Sequence, residues 1–170
     1  FINTHLASAA AMLAWIMLDA ANGKKPSALG ACIGAVVGLV AITPAAGYID
    51  YGPSVFIGFV ASIISNYAVH WKSKSDIDDT LDVFPCHGLG GIVGMLLTAV
   101  FAKNGGLITG SSTLFMYHLL GLVIVLVFTF GGSYLLLKLT HLISPLRVLP
   151  EHEWMGLDMS QHNESDIEEV

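Results

Sequence analysis

Five long apolar stretches alternate with short polar ones along the chain, and each is long enough to cross a bilayer as a helix. A spanning helix needs about 20 mostly apolar residues. The pattern predicts an all-α integral membrane protein with five transmembrane helices at about 1–21, 29–48, 53–71, 82–102 and 112–143. A transmembrane domain therefore occupies residues 1–147, and residues 148–170 form a polar C-terminal tail.

The composition agrees with lipid as the solvent for most of the chain. Hydrophobic residues make up 54% of the sequence and charged residues 12%, about half the share that is typical of soluble domains. The tail is acidic, with carboxylates at Glu151, Glu153, Asp158, Glu164, Asp166, Glu168 and Glu169. No basic stretch indicates a nucleic-acid partner. The cysteines lack the spacing of a metal site, and we expect no cofactor.

The basic residues of the loops concentrate on one side of the predicted bundle. That side holds Lys24, Lys25, Lys72, Lys74 and Arg147. The opposite side holds Lys103. Because positively charged loops stay in the cytoplasm, we expect the N-terminus of this segment outside the cell and the tail inside.

His87 is the residue that most strongly suggests chemistry in the membrane. It follows the first turn of the fourth predicted span and precedes a glycine-rich run. An ionisable side chain at membrane depth is costly and usually faces a cavity or a polar partner. A neutral imidazole offers one donor and one acceptor nitrogen, which suits the passage of a hydrogen-bonding solute or a proton. The alternative is a core histidine bonded to a backbone carbonyl.

Two further features flank the apolar stretches. Asp79 lies just before the fourth span and Asp82 begins it, at the end where carboxylates cap a helix N-terminus and interact with its dipole, or attract a cation to a pore mouth. Pro44 lies near the end of the second span and removes a backbone donor, so the helix breaks there. A broken helix at membrane depth often borders a cavity, although helix termination alone explains this proline equally well.

Three segments resemble signature regions of the Amt/Mep/Rh ammonium transporters, and of the Amt branch in particular. They run from Ala41 to Ile49, from Asp79 to Gly94, and from Gly156 to Glu164, and they occur in the order of the family. The resemblance implies an eleven-helix fold of which this chain supplies the last five helices. It also implies a homotrimer in the cell membrane with one hydrophobic pore in each subunit.

The same resemblance implies roles for individual residues. His87 matches the second histidine of a hydrogen-bonded pair midway along the pore, and Val83 matches an apolar position near the cytoplasmic exit. Asp79 and Asp82 match acidic positions that support the start of this helix. The partner histidine and the external ammonium site belong to the half of the family fold that precedes this segment. We therefore expect a longer polypeptide or a second chain to complete the pore.

The tail resembles a regulatory segment of the family. The matching residues are Gly156, Leu157, Asp158, His162 and Glu164. Asn163 stands where the motif usually has glycine, which allows backbone angles that asparagine reaches less readily, so the resemblance does not determine the fold of the tail or its regulatory contact at this position. The alternative function is an ammonium sensor that signals through this tail, and the resemblance implies a PII-type signalling protein as its partner. Another secondary transporter is a further alternative, whereas an enzyme is not expected, because no nucleophile and base converge.

Overall fold

The structure is a computed structural model that describes residues 1–164; the tail residues Asp166, Glu168 and Glu169 lie outside this part. Within it the chain forms helices and turns without strands, so the predicted all-α fold is confirmed. The helices are α1 (Ile2–Ala21), α2 (Ala28–Ile42), α3 (Tyr51–Lys72), α4 (Gly90–Phe101), α5 (Thr113–Ile143) and α6 (Pro150–Met155). Shorter helical turns occupy Phe84–Leu89, Leu107–Thr109 and Asp158–His162.

The described residues divide into two compact units, one of Phe1–Val123 and one that begins at Ile124. In the described residues, four helical segments are long and apolar enough to cross a membrane: Ile2–Ala21, Tyr51–Lys72, Phe84–Phe101 and Thr113–Ile143.

The stretch that was predicted as the second span differs from the prediction. Its helix, α2, has 15 residues and is followed by turns through residue 48, whereas the pattern predicted helix from 29 to 48. Pro44 explains the difference, because it has no N–H to continue the helical ladder. At its start, the Ser27 hydroxyl accepts a hydrogen bond from the Gly30 N–H at 3.0 Å, as an N-cap residue does.

Glycines bring the helices of the first unit into backbone contact. A Cβ at Gly58 of α3 would lie 2.8 Å from the carbonyl carbon of Ala7 in α1. A Cβ at Gly94 of α4 would lie 2.7 Å from the carbonyl carbon of Ala41 in α2. Small residues permit such close approach of helices in lipid, where dispersion and polar contacts replace the hydrophobic effect. The contacts build a core of Ala7, Trp15, Val37, Ala41, Ile42, Ala45, Ile49, Ile57, Ala61 and Cys86.

Buried polar side chains join the same helices. The Asn66 side-chain amide of α3 donates to the Asp19 carboxylate of α1 at 3.1 Å, and Ser62 donates to the Ala11 carbonyl at 2.8 Å. The Asn3 amide donates to the carbonyl oxygens of Ala46 and Ile49 at 2.9 and 3.0 Å. Asn3 therefore satisfies carbonyl groups that the break after α2 leaves without helical partners.

Replacing Asn66 with alanine is expected to destabilise the protein by about 1–3 kcal/mol, because it leaves the buried Asp19 carboxylate without this donor. Asn66 is fully buried and Asp19 is 8% exposed, so water does not readily replace the lost bond. Thermal unfolding of the complete protein in detergent would measure the loss. Asn104→Ala, at an exposed loop position, is the matched control. Equal unfolding temperatures for the two variants would contradict the expectation.

Candidate functional site

His87 lies in a π-helical turn, Phe84–Leu89, that leads directly into α4. Pro85 stands near the start of this turn, where its missing N–H costs little. Gly88 accommodates the Phe84 ring, since a Cβ at this position would lie 2.9 Å from a carbon of that ring. π-helices are rare, and the single turns in which they mostly occur are frequently found at functional sites.

The turn separates its side chains into a buried and an exposed group. Pro85 and Cys86 are buried against the core, whereas Val83 and Phe84 are about half exposed, at 51% and 50%, and His87 is exposed. In the described part of the chain, neither ring nitrogen of His87 makes a hydrogen bond. The result is an apolar surface that carries a single imidazole with both nitrogens available.

The connection between α3 and this turn is held by charged groups. The Asp79 carboxylate accepts hydrogen bonds from the backbone N–H groups of Val83 and Phe84, at 2.8 and 2.9 Å. Asp82 has a different role: its carboxylate pairs with Lys72 Nζ at 2.6 Å, and Lys72 also donates to the Asp79 carbonyl oxygen. Of the two predicted capping residues, Asp79 therefore caps the turn, whereas Asp82 forms an ion pair.

The hydrogen bonds from Phe84 and Val83 hold the pKa of the Asp79 carboxyl below its usual value. Because the folded pKa is depressed, the stabilisation that this carboxylate provides is present above the unfolded pKa and is lost as the pH falls through the folded pKa. Asp79→Asn is therefore expected to unfold at a lower temperature than the unchanged protein at pH 7. Below about pH 4 the difference is expected to shrink, since the unfolded carboxyl titrates near that pH.

Thermal unfolding of both proteins across this pH range would test the linkage. A difference in unfolding temperature that stays constant from pH 7 to pH 3 would contradict it.

Pro44 borders a cavity of about 520 Å³ at the other end of α4. The cavity is lined by Pro44, Gly47, Tyr48, Thr98, Ala102, Lys103, Asn104, Leu114 and His118. The His118 Nδ1–H donates to the Met95 carbonyl oxygen at 2.8 Å, which is the structural role expected of a core histidine. His87 and Val83 are not among the residues that line this cavity, so the structure does not join Pro44 and His87 in one site.

The predicted regulatory residues lie in the second unit. Gly156 has a φ of +92° and follows α6, and the turn Asp158–His162 comes next. The Glu164 N–H donates to the Asp158 carbonyl at 3.1 Å, which closes this turn. Asn163 has φ 55° and ψ 37°, the left-handed conformation that glycine favours. Asparagine tolerates this region better than most residues, so the substitution does not prevent the backbone from adopting it.

Leu157 lies between Gly156 and the turn, and its side chain is 51% exposed. His162 is the last residue of the turn. Before α6, the Arg147 guanidinium donates two hydrogen bonds to the Glu153 carboxylate, at 2.7 and 3.2 Å. The hydrogen bond from Arg147 lowers the pKa of Glu153.

The sequence interpretation missed two residues that organise the site. Lys72 was counted only as a positive charge of a loop, although Asp82, ten positions later, carries the opposite charge and forms an ion pair with it. Asn3, a polar residue at the start of the first predicted span, was not singled out at all. An amide so close to an apolar run indicates a buried partner, but the sequence does not identify the carbonyl groups that it contacts.

Comparison with known proteins identifies the family. The model of the Ammonium Transporter Family matches residues 1–167. The chain belongs to this family. The resemblance inferred from the sequence is confirmed, and with its apolar helices the chain is a multi-pass membrane protein. Its relatives are named as transporters and not as enzymes.

Individual relatives show how much of the fold is present. The ammonium transporter of Bacillus subtilis (strain 168) is 38% identical over 172 residues, which cover 96% of this chain and 43% of the relative. The crystal structure of Saccharomyces cerevisiae Mep2 gives a TM-score of 0.82 at 34% identity, covering 88% of this chain and 37% of Mep2. A structure named as a sensor Amt protein gives 0.83 at 29% identity, covering 94% and 40%. The chain therefore spans less than half the length of these relatives.

Proposed function

We propose that the complete protein conducts ammonium or ammonia across the cell membrane and that this chain supplies the second half of its pore. The match to the ammonium transporter family over residues 1–167 is the observation that carries the proposal. The exposed apolar surface around His87 supports it, because an apolar wall raises the barrier for an ion far more than for a neutral solute, and the imidazole can exchange hydrogen bonds with such a solute.

In the proposed mechanism, the imidazole of His87 is a site that exchanges hydrogen bonds with the passing solute. Ammonium loses its water and one proton on the outer side, and neutral ammonia enters the apolar section. The proton either passes to the outer water, in which case ammonia takes up another from the cytoplasmic water, or crosses through the imidazoles and rejoins ammonia inside. Ammonia donates to the unprotonated nitrogen of His87 or accepts from its N–H, in concert with a partner histidine that lies outside this chain. Val83, four residues earlier, forms apolar wall toward the cytoplasmic exit. Asp79 and Asp82 support the start of the helix that carries both residues.

The arrangement of the complete protein follows from the same proposal. The polypeptide crosses the membrane several times, with the N-terminus of this segment outside and the tail in the cytoplasm, as the loop charges favour. Three copies form a homotrimer, and each copy has its own pore. Without the other half of the pore, His87 and the backbone at the helix breaks would be exposed to lipid, which is unfavourable. Residues that precede this segment, or a second chain, therefore complete the pore.

Reconstitution of the complete protein into proteoliposomes would test the transport function. An inward ammonium gradient is expected to produce a transient current or a change of internal pH that scales with the amount of protein. Potassium and sodium gradients of the same size serve as controls for selectivity. Vesicles that respond no more than protein-free vesicles would refute conduction.

An ammonium sensor is the second candidate, and the similarity to the sensor Amt protein favours it. In this version the tail, including Gly156 and Leu157, changes its contact with a signalling protein such as a PII-type protein when ammonium binds. Deletion of residues 148–170 separates the two functions. The sensor proposal expects loss of partner binding while the ammonium response of the vesicles persists. Loss of that response would instead assign the tail to transport.

A further inference from the structure

Lys72 is the last residue of α3, and its ammonium group contacts two parts of the connection to the His87 turn. Nζ lies 2.6 Å from a carboxylate oxygen of Asp82 and donates to the carbonyl oxygen of Asp79. The Lys72 and Asp82 side chains are only 14% and 22% exposed. Solvent therefore screens this pair less than an ordinary surface ion pair, and the loss of either charge leaves the other poorly hydrated.

The two acceptors of Lys72 are also the residues that start the π-helical turn. The Asp82 carbonyl accepts the N–H of Cys86, and the Asp79 carboxylate accepts the N–H groups of Val83 and Phe84. Asp82 has a φ of +54°, a conformation that costs free energy for a residue with a side chain. Surrounding contacts must hold such a residue in place, and the ion pair with Lys72 ties it to the end of α3.

We propose that Lys72 is a positioning residue for His87. Lys72 holds Asp82 and the Asp79 carbonyl against the end of α3 and so fixes the start of the π-helical turn. The start of the turn then sets the position of the His87 imidazole along the helix and the direction in which it points. The positioning role stands on the contacts described above. Its consequence for conduction rests on the proposed transport function.

Lys72→Met in the complete protein removes the charge while preserving most of the side-chain volume. Lys74→Met is the matched control, because Lys74 is an exposed lysine two residues further along. Lys72→Arg keeps the charge and is expected to restore part of the effect, although its planar guanidinium fits a two-acceptor site differently. Asp82→Asn, alone and combined with Lys72→Met, completes a double-mutant cycle.

The first readout is the nitrogen NMR signal of the His87 imidazole, assigned by its absence in His87→Gln. Lys72→Met is expected to move this signal and Lys74→Met to leave it unchanged. A smaller effect of Lys72→Met in the Asp82→Asn background is expected, since the ion pair is already absent there. A general loss of stability would lower the unfolding temperature without producing this pattern.

The second readout is ammonium conduction per folded trimer. A displacement of about 1 Å at a reacting centre can cost roughly 100-fold in rate, so a fall of about tenfold or more is expected for Lys72→Met. An unmoved His87 signal in Lys72→Met overturns the proposal. If Lys72→Met does not assemble, the His87 signal is measured in the Lys72→Met, Asp82→Asn double variant instead. An unmoved signal in that variant also overturns the proposal.

The two proposals fail in different ways. A shifted His87 signal together with unchanged conduction in both Lys72→Met and His87→Ala would refute the role of His87 in transport and leave the positioning role standing. An unchanged signal together with lost conduction in His87→Ala would refute the positioning role alone.

Discussion

Replacement of His87 with alanine is expected to reduce ammonium conduction by at least about tenfold, because it removes the polar group of an otherwise apolar surface. A solute that sheds its water to enter a dry passage needs compensating hydrogen bonds. Each such bond contributes about 1 kcal/mol, and each 1.4 kcal/mol added to a barrier slows a step about tenfold. Loss of both the donor and the acceptor of one imidazole is therefore enough for the expected decrease.

The measurement is the initial ammonium response of proteoliposomes that contain equal amounts of folded trimer. His141→Ala is the matched control, because His141 is an exposed histidine in the last turn of α5. Within residues 1–164 the His87 side chain makes no hydrogen bond, so its truncation breaks no such bond inside this part of the chain. Comparison at equal amounts of folded trimer separates an effect on conduction from an effect on assembly. Full and selective conduction by His87→Ala would refute the proposed role.

The hydrophobic pattern predicted the regions in which the helices lie, because lipid imposes both length and polarity on a spanning segment. It placed α1 and α3 within a residue or two of their observed bounds. It failed at the end of α2, where six apolar or small residues after Ile42 continue the pattern while the backbone leaves the helix. Pro44 signalled the break, but hydropathy does not distinguish a helix from apolar turns whose carbonyl groups are satisfied by Asn3.

The candidate site was only partly visible in the sequence for a related reason. A carboxylate before an apolar run predicts a cap, and Asp79 has that geometry. The ion pair between Lys72 and Asp82 depends on how a loop folds back, and no periodicity records it. The sequence did not reveal the π-helical turn at His87 either. The same apolar residues can form an α-helical or a π-helical turn, and the hydrophobic pattern does not distinguish the two.

Gly94→Ala is expected to prevent assembly of the complete protein or to destabilise it severely. The added Cβ would lie 2.7 and 2.8 Å from the carbonyl carbon and Cα of Ala41. Overpacking usually costs about 1–3 kcal/mol, because side chains rotate away from the added atom. Here the obstructing atoms belong to the backbone of α2, so α4 must move as a whole, and the cost is expected at the upper end of that range or above it.

Gly91→Ala is the matched control, because it makes the same change one turn earlier on the same helix. Apart from its two neighbours and the nearby backbone of its own helix, a Cβ at Gly91 meets no atom within 4 Å in the described structure. Alanine favours a helix over glycine by about 1 kcal/mol, so this variant is expected to be as stable as the unchanged protein or slightly more stable. Size-exclusion profiles and unfolding temperatures in detergent would compare the two. If Gly94→Ala assembled and unfolded like Gly91→Ala, the close contact between α2 and α4 would not determine the packing, and the position of the His87 turn would need another support.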